Sequence, residues 1–195
     1  MSTRGYSQTK RAEATERSRR AILTAAQELF RNESRFELPL DEVATRAGCS
    51  ERTVLRHFGS KEGLLVAAVA DAEQGVVDSR EARPGDVAGS IQGLVGHYEE
   101  DGDLVLRWLS LADRYPLVRR VTESGKRLHE EWVDEVFAAD FEALSSGKRR
   151  LRKAILASLT DVQVWALLRR QHGLRRKATE AAILDLVEHV RGEDP

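Results

Sequence analysis

Apolar residues recur along this chain at intervals of three and four, and no stretch alternates with period two. Ala21, Ile22, Ala25, Leu29 and Phe30 predict a first helix from about Arg11 to the Asn32–Ser34 region, with Glu13, Glu16, Arg17 and Arg20 on its polar side. Pro39 followed by Leu40, Val43, Ala44 and Ala47 predicts a short amphipathic helix stopped by Gly48. Ser50 is placed to N-cap another short helix, anchored by Val54, Leu55 and Phe58 and ended at Gly59. Ser60 opens a fourth, through Leu64, Leu65, Ala68, Val69 and Ala72 to about Ser79. Its capping box is incomplete, because Gly63 stands where Glu belongs and Glu62 comes one residue early.

Arg83-Pro84-Gly85 is the strongest break in the chain. Beyond it, Val87, Ile91, Leu94, Val95 and Tyr98 mark a helix that the acidic run Glu99-Glu100-Asp101-Gly102-Asp103 is expected to close as a turn. Leu104, Leu106, Trp108, Leu109, Leu111 and Ala112 predict the next, ending at Tyr115-Pro116, since a residue before proline disfavours the helical region. Val118, Val121, Leu128, Trp132, Val136 and Phe137 mark a longer one, and Ser145-Ser146-Gly147 a loop. Leu151, Ile155, Leu159, Val162, Leu167 and Leu168 predict a single helix running to Gly173, and Ala178 to Val190 a last one. The fold class is therefore all-α, with about nine helices.

At 195 residues the chain exceeds one domain of about 150, and three parts are expected. Residues 1–11, with Arg4, Gly5, Lys10 and Arg11, read as a flexible basic arm. Residues 12–75 form a small domain and residues 76–195 a larger one. The net charge of −1 conceals an asymmetry: residues 1–70 carry 12 Lys/Arg against 9 Asp/Glu, and residues 71–195 carry 19 against 23. A basic head on an acidic body is expected where one portion meets nucleic acid, although basic segments of this size also occur as plain solvated surface.

Composition removes several classes. The most apolar stretch, Leu64 to Ala70, falls far short of the roughly 18 residues that span a bilayer. No basic region followed by an apolar one opens the chain, so a cytoplasmic location is expected. The one cysteine, Cys49, can form neither an internal disulfide nor a Cys-based zinc site, and reads as a small buried apolar residue. There is no GxSxG, no HExxH and no glycine-rich phosphate loop, and the histidines lie scattered at 57, 97, 129, 172 and 189. No catalytic residues, metal or cofactor are expected. A helical scaffold that binds only protein remains as a competing class.

Residues 40–58 satisfy the geometry of a helix-turn-helix. Ala44 supplies the small residue where two steeply crossing helices touch, and Gly48 the turn. Val43, Ala47, Cys49 and Val54 fall on the inward faces. An ordinary helical hairpin would show the same pattern. Against it stand the outward positions of the second helix, Arg52, Thr53, Arg56 and His57, which suit phosphates and guanine edges in a major groove.

The run Ala21-Ile22-Leu23-x-Ala25-Ala26-x-x-Leu29-Phe30, then Val43-Ala44-x-x-Ala47-Gly48-Cys49-Ser50-x-x-Thr53-Val54-Leu55-Arg56-His57-Phe58-x-Ser60-Lys61-Glu62-x-Leu64-Leu65, closely resembles the N-terminal domain of TetR-family transcriptional regulators. The resemblance covers about residues 11–72; beyond them only length and helical pattern agree. It implies a homodimeric DNA-binding protein, usually a repressor, whose C-terminal domain dimerises and binds a small effector. One departure is visible: Leu55 stands where family members usually carry a tyrosine that touches the DNA backbone.

Within that frame Arg52 is the candidate base contact, because guanidinium pairs bidentately with guanine. Thr53, Arg56 and His57 are candidates for phosphates, His57 having a packing role against Phe58 as its alternative. Lys61 lies in the first turn of a helix, where free N–H groups already favour an anion. Ser50 combines capping with a backbone contact. Leu94, Tyr98, Trp108, Leu111, His129 and Trp132 are candidate lining for an effector pocket, with plain core as the alternative for each. Leu159, Val162, Trp165 and Leu168, with Ala182, Ile183, Leu186, Val187 and Val190, form apolar stripes broad enough to face both their own core and a second copy.

Overall fold

The computed structural model describes residues 3–32, 38–80 and 82–192, and among them every regular element is helical. The all-α expectation holds. The first elements are α1 (Thr3–Asn32), α2 (Leu40–Arg46), α3 (Glu51–Phe58) and α4 (Lys61–Ser79). They are followed by α5 (Val87–Leu111), α6 (Pro116–Val136), the single turn α7 (Ala138–Phe141) and α8 (Ser146–Leu159). The chain closes with α9 (Val162–Ala166), a π-helical turn over Leu167–Gln171, and α10 (Arg176–Gly192). Two compact units result, residues 1–74 and 75–195, dividing within α4.

In the N-terminal unit, α1 to α4 bury one apolar face each. Ile22 and Leu29 of α1, Val43 of α2, Val54 of α3 and Leu64 of α4 meet in one core. Ala21, expected on the buried stripe, is exposed, because Ile22, Ala26 and Leu29 set the helical phase. The Gln27 amide reaches from α1 to α4, donating to the Ala68 carbonyl at 3.1 Å and to the Asp71 carboxylate at 2.9 Å. Over the stretch expected as a flexible arm, 1–11, α1 already begins at Thr3, and residues 1 and 2 lie outside the described residues. Once a helix is nucleated, each added residue contributes one hydrogen bond, and Gln8, Lys10 and Arg11 are good helix formers.

The C-terminal unit is built around α5. Its Ile91, Leu94, Val95 and Tyr98 pack with Trp132 and Val133 of α6, Leu156 of α8, Trp165 of α9 and Ile183 and Val187 of α10. The loop before α5 is pinned by Asp86, which caps the helix by accepting from the Gly89 N–H at 2.8 Å. Ser90 reaches back to the same loop, accepting from the Arg83 N–H at 3.0 Å.

In the C-terminal unit α8 starts at Ser146, inside the loop expected over Ser145-Ser146-Gly147, and two larger differences follow. The acidic run 99–103 does not close a helix; α5 continues through it to Leu111. Glu99 and Asp103 are four residues apart and share a face, where each receives an arginine: Glu99 accepts two bonds from Arg169, at 2.6 and 2.7 Å, and Asp103 pairs with Arg170 at 2.8 Å. Glu99 also accepts from the Trp165 indole at 2.9 Å. The Arg169 hydrogen bonds, with Trp165 assisting, hold the Glu99 carboxyl down at about 2. The second difference is a break in the long helix expected from Leu151 to Gly173. Thr160 turns its hydroxyl back onto the Leu156 carbonyl at 2.7 Å, and Asp161 restarts the helix by accepting from the Gln163 N–H at 2.8 Å. The π turn follows, marked by the His172 N–H bonding the Leu167 carbonyl at 2.9 Å.

Gly102 is a packing glycine rather than a helix stop. A Cβ there would lie 2.5 Å from Cζ3 of Trp165, a ring fully buried and tethered by its indole to Glu99. Gly102→Ala is expected to lower stability by about 1–3 kcal/mol through overpacking, despite alanine's better helix propensity. Urea denaturation of the variant measures it, and unchanged or raised stability would show that Trp165 can retreat.

Candidate nucleic-acid interface

An eight-residue helix is too short to persist alone, so α3 is held by its surroundings. At its start, the Ser50 hydroxyl accepts from the Thr53 N–H at 3.2 Å. At its end Gly59, with φ of 78°, bonds the Leu55 carbonyl through its N–H at 2.7 Å. Between these, Val54 is fully buried and fixes the rotation of the helix. The turn from α2 is made by Gly48 at φ 63°, a left-handed conformation that side chains with a Cβ seldom adopt. The Cys49 N–H then closes it on the carbonyl of buried Ala44 at 2.9 Å. Residues 40–58 are thus a helix-turn-helix in geometry as well as in pattern.

With Val54 facing in, the exposed residues of α3 are Glu51, Arg52, Leu55 and Arg56. Arg52 and Arg56 therefore stand on the outward face. Thr53 and His57 do not stand fully beside them: both are half-buried. The Thr53 hydroxyl lies 3.0 Å from that of Ser50, within the cap, and the His57 ring tilts against Phe58 with centroids 6.1 Å apart. Phe58 is also covered by the Arg19 guanidinium of α1, 4.7 Å from the ring centre. Cys49 is half-buried; burial pushes its thiol pKa up, while the charge of Arg56 acts in the opposite sense.

The start of α4 lies next to this face in sequence. Ser60 caps it, accepting from the Gly63 N–H at 3.0 Å, and Lys61 is exposed in its first turn. Glu62, one residue early for a capping box, bonds locally instead. Its carboxyl is held below the usual range by a bond from its own backbone N–H and another from the Ser60 hydroxyl, with Lys61 adding to both. Ser50, Arg52, Thr53, Arg56, His57 and Lys61 therefore lie on one short stretch of chain, with the cations outermost.

In the C-terminal unit, Leu94, Tyr98, His129 and Trp132 are buried, and Trp108 and Leu111 half-buried. The Tyr98 hydroxyl donates to the Thr160 carbonyl at 3.0 Å. His129 Nε2 lies 3.1 Å from the Ala157 carbonyl and 3.2 Å from the Thr160 hydroxyl. A carbonyl only accepts, so Nε2 carries the proton and Nδ1 is a bare acceptor. Burial pushes the His129 pKa down, favouring this neutral form. Among the described residues neither His129 Nδ1 nor the indole N–H of Trp132, stacked 5.9 Å from it, has a hydrogen-bond partner. Sequence reasoning missed Arg80, just beyond α4. It is buried with its guanidinium 5.1 Å from the Tyr98 ring centre, and burial pushes its pKa down. Its place after a helix end gave no sign of burial. A groove of about 1020 Å³ lies elsewhere, beside α1, lined by Glu13, Glu16, Arg17, Arg20, Glu28 and Arg46 among others; its charges are mixed.

Of the residues expected to face a second copy, Val162, Trp165, Ile183 and Val187 are buried in their own unit. Leu159, Leu168, Ala182 and Val190 are half-buried, and Leu186 is 44% exposed. Leu151, Ile155 and Leu167, which marked the helical spacing in the sequence, are exposed as well.

Residues 22–68 match the family model described as bacterial regulatory proteins, tetR family. Over 58 residues the chain is 40% identical to uncharacterized HTH-type transcriptional regulators from two strains of Mycobacterium tuberculosis. That match spans 30% of this chain and 29% of those relatives. Among solved structures, a putative TetR-family transcriptional regulator from Rhodococcus sp. aligns with a TM-score of 0.61 at 20% identity, over 90% of this chain and 99% of that one. One from Mesorhizobium loti aligns with a TM-score of 0.57 at 21% identity, over 90% and 96%. These likenesses show a shared fold across both units.

The junction of α3 and α4 tolerates no side chain at position 63, where a Cβ would run into the Phe58 carbonyl oxygen. Gly63→Ala is expected to destabilise the N-terminal unit by about 1–3 kcal/mol, because backbone rather than a side-chain tip must move. Thermal unfolding tests this, and a melting temperature at or above that of the parent would refute it.

Proposed function

From the match of residues 22–68 to the tetR family of bacterial regulatory proteins, we propose that the chain is a homodimeric transcriptional repressor of that family. It binds a palindromic operator through α3 and is released by a small effector held in the C-terminal unit. The observation that carries this reading is the outward face of α3, where Arg52 and Arg56 stand exposed on a helix whose rotation is set by buried Val54. Arg52 reads a guanine edge; Arg56 and Lys61 hold phosphates, Lys61 from its exposed place in the first turn of α4. Ser50, Thr53 and His57 support them, positioned by the cap and by Phe58.

Two copies are required because a palindrome presents two half-sites about 34 Å apart. The exposed leucines and isoleucine of the C-terminal unit, Leu186 foremost, supply the apolar surface for pairing, with Leu159, Leu168, Ala182 and Val190 beside it. Val162, Trp165, Ile183 and Val187 support that surface from beneath. The effector site takes Leu94, Tyr98, Trp108, Leu111, His129 and Trp132 as its lining, with Tyr98 and His129 both bonded to Thr160. Its support is the bare acceptor of His129 and the bare donor of Trp132, since buried polar groups are ordinarily paired. An effector relieves repression by binding the released conformation more tightly than the DNA-bound one.

Arg52→Ala is expected to weaken binding to a fragment of the protein's own upstream DNA by about 1–3 kcal/mol, roughly 5- to 150-fold, with affinity falling steeply as salt rises. Titration against that fragment and unrelated DNA decides it: equal affinity for both, with no loss in the variant, would remove the DNA-reading assignment. Leu186→Glu is expected to yield monomers in analytical ultracentrifugation and to lose operator affinity while keeping its helical content. A dimer that persists in that variant would place the pairing surface elsewhere.

A further inference from the structure

The exposed positions of α3 are Glu51, Arg52, Leu55 and Arg56, and Leu55 alone among them is apolar. It is 39% exposed and takes no part in the core of its unit, which α3 enters through Val54 with Phe58 packed alongside. A single exposed leucine signifies little in itself, for such residues are ordinary on protein surfaces. Its setting is what carries weight. Leu55 lies three residues after Arg52, so helical spacing sets it on the same side of α3 as that guanidinium, with Arg56 on the other flank of Arg52, about 100° from Leu55. Its backbone is fixed too, since its carbonyl accepts from the Gly59 N–H at 2.7 Å in the cap that ends the helix.

A helix that brings Arg52 and Arg56 into a major groove brings the Leu55 isobutyl group with them, and, unlike the longer tyrosine usual at this position, it has no hydroxyl to give a backbone phosphate. That group exchanges no hydrogen bonds. Opposite guanine, adenine or cytosine it would strip water from donors and acceptors and replace nothing. Opposite thymine it meets the C5 methyl, the apolar group that a base edge offers in the major groove. Resting on the DNA-reading function above, we propose that Leu55 is a specificity-determining residue that selects a thymine in each half-site by apolar contact with its C5 methyl group.

The test uses the full chain and duplexes it selects from a randomised pool. In the selected duplex each thymine is replaced singly by deoxyuridine, which deletes only the methyl group. At one thymine per half-site the replacement is expected to weaken binding about fourfold, the equivalent of ~0.8 kcal/mol for one buried methyl-sized group. Leu55→Ala, whose melting temperature should match the parent's, is expected to bind thymine and uracil duplexes alike at that position. Leu55→Met, still apolar and long, is expected to keep the preference. The proposal is overturned if no thymine responds to the replacement, or if Leu55→Ala discriminates as the parent does. Failure to enrich any sequence removes the DNA-reading function and this proposal together, whereas enrichment without methyl sensitivity removes this proposal alone.

Discussion

The burial of Val54 governs what the N-terminal unit can present. Eight residues of isolated helix would melt in water, and α3 persists because this side chain enters a core supplied by α1, α2 and α4. Ser50 and Gly59 satisfy the helix ends, but neither sets its rotation. Val54 does. Once it faces inward, Arg52, Leu55 and Arg56 must face outward, and Thr53 and His57 must lie at the flanks. The interface is in this sense the complement of one core contact.

The C-terminal unit depends on a different kind of contact. Trp165 is buried against α5 only because position 102 has no side chain, and its indole is held by Glu99. The same carboxylate takes Arg169 in a two-pronged pair, and Arg170 lies 4.6 Å over the Trp165 ring while pairing with Asp103. An indole, two arginines, two acids and a glycine thus join α5 to the π-helical turn. The acidic run is a bonding face, and the helix continues through it.

Much was legible because it is written in near neighbours. The turn glycine Gly48, the caps Ser50 and Ser60 and the anchors Val43, Ala44 and Val54 all act within one turn or one hairpin. The helix break at Thr160-Asp161 had a local signal as well, a hydroxyl residue before an N-cap acid, which the uninterrupted apolar spacing masked. The burial of Arg80 had none, for it depends on the Tyr98 ring and on how the surrounding helices close over it, whereas the packing of His57 on its neighbour Phe58 was legible as one of two alternatives.

Sequence by itself determined the all-α class, the helix-turn-helix, the capped short helix and the basic character of its outward face, since periodicity, caps and glycine turns are local properties. Only the tertiary structure decided that Glu99 to Asp103 belong to one helix, that Gly102 makes room for Trp165, and that Leu55 rather than Thr53 or His57 stands beside the arginines. The physical reason is shared by all three. Each depends on which atoms from distant helices fill the space next to a residue, and residue spacing along the chain does not specify that.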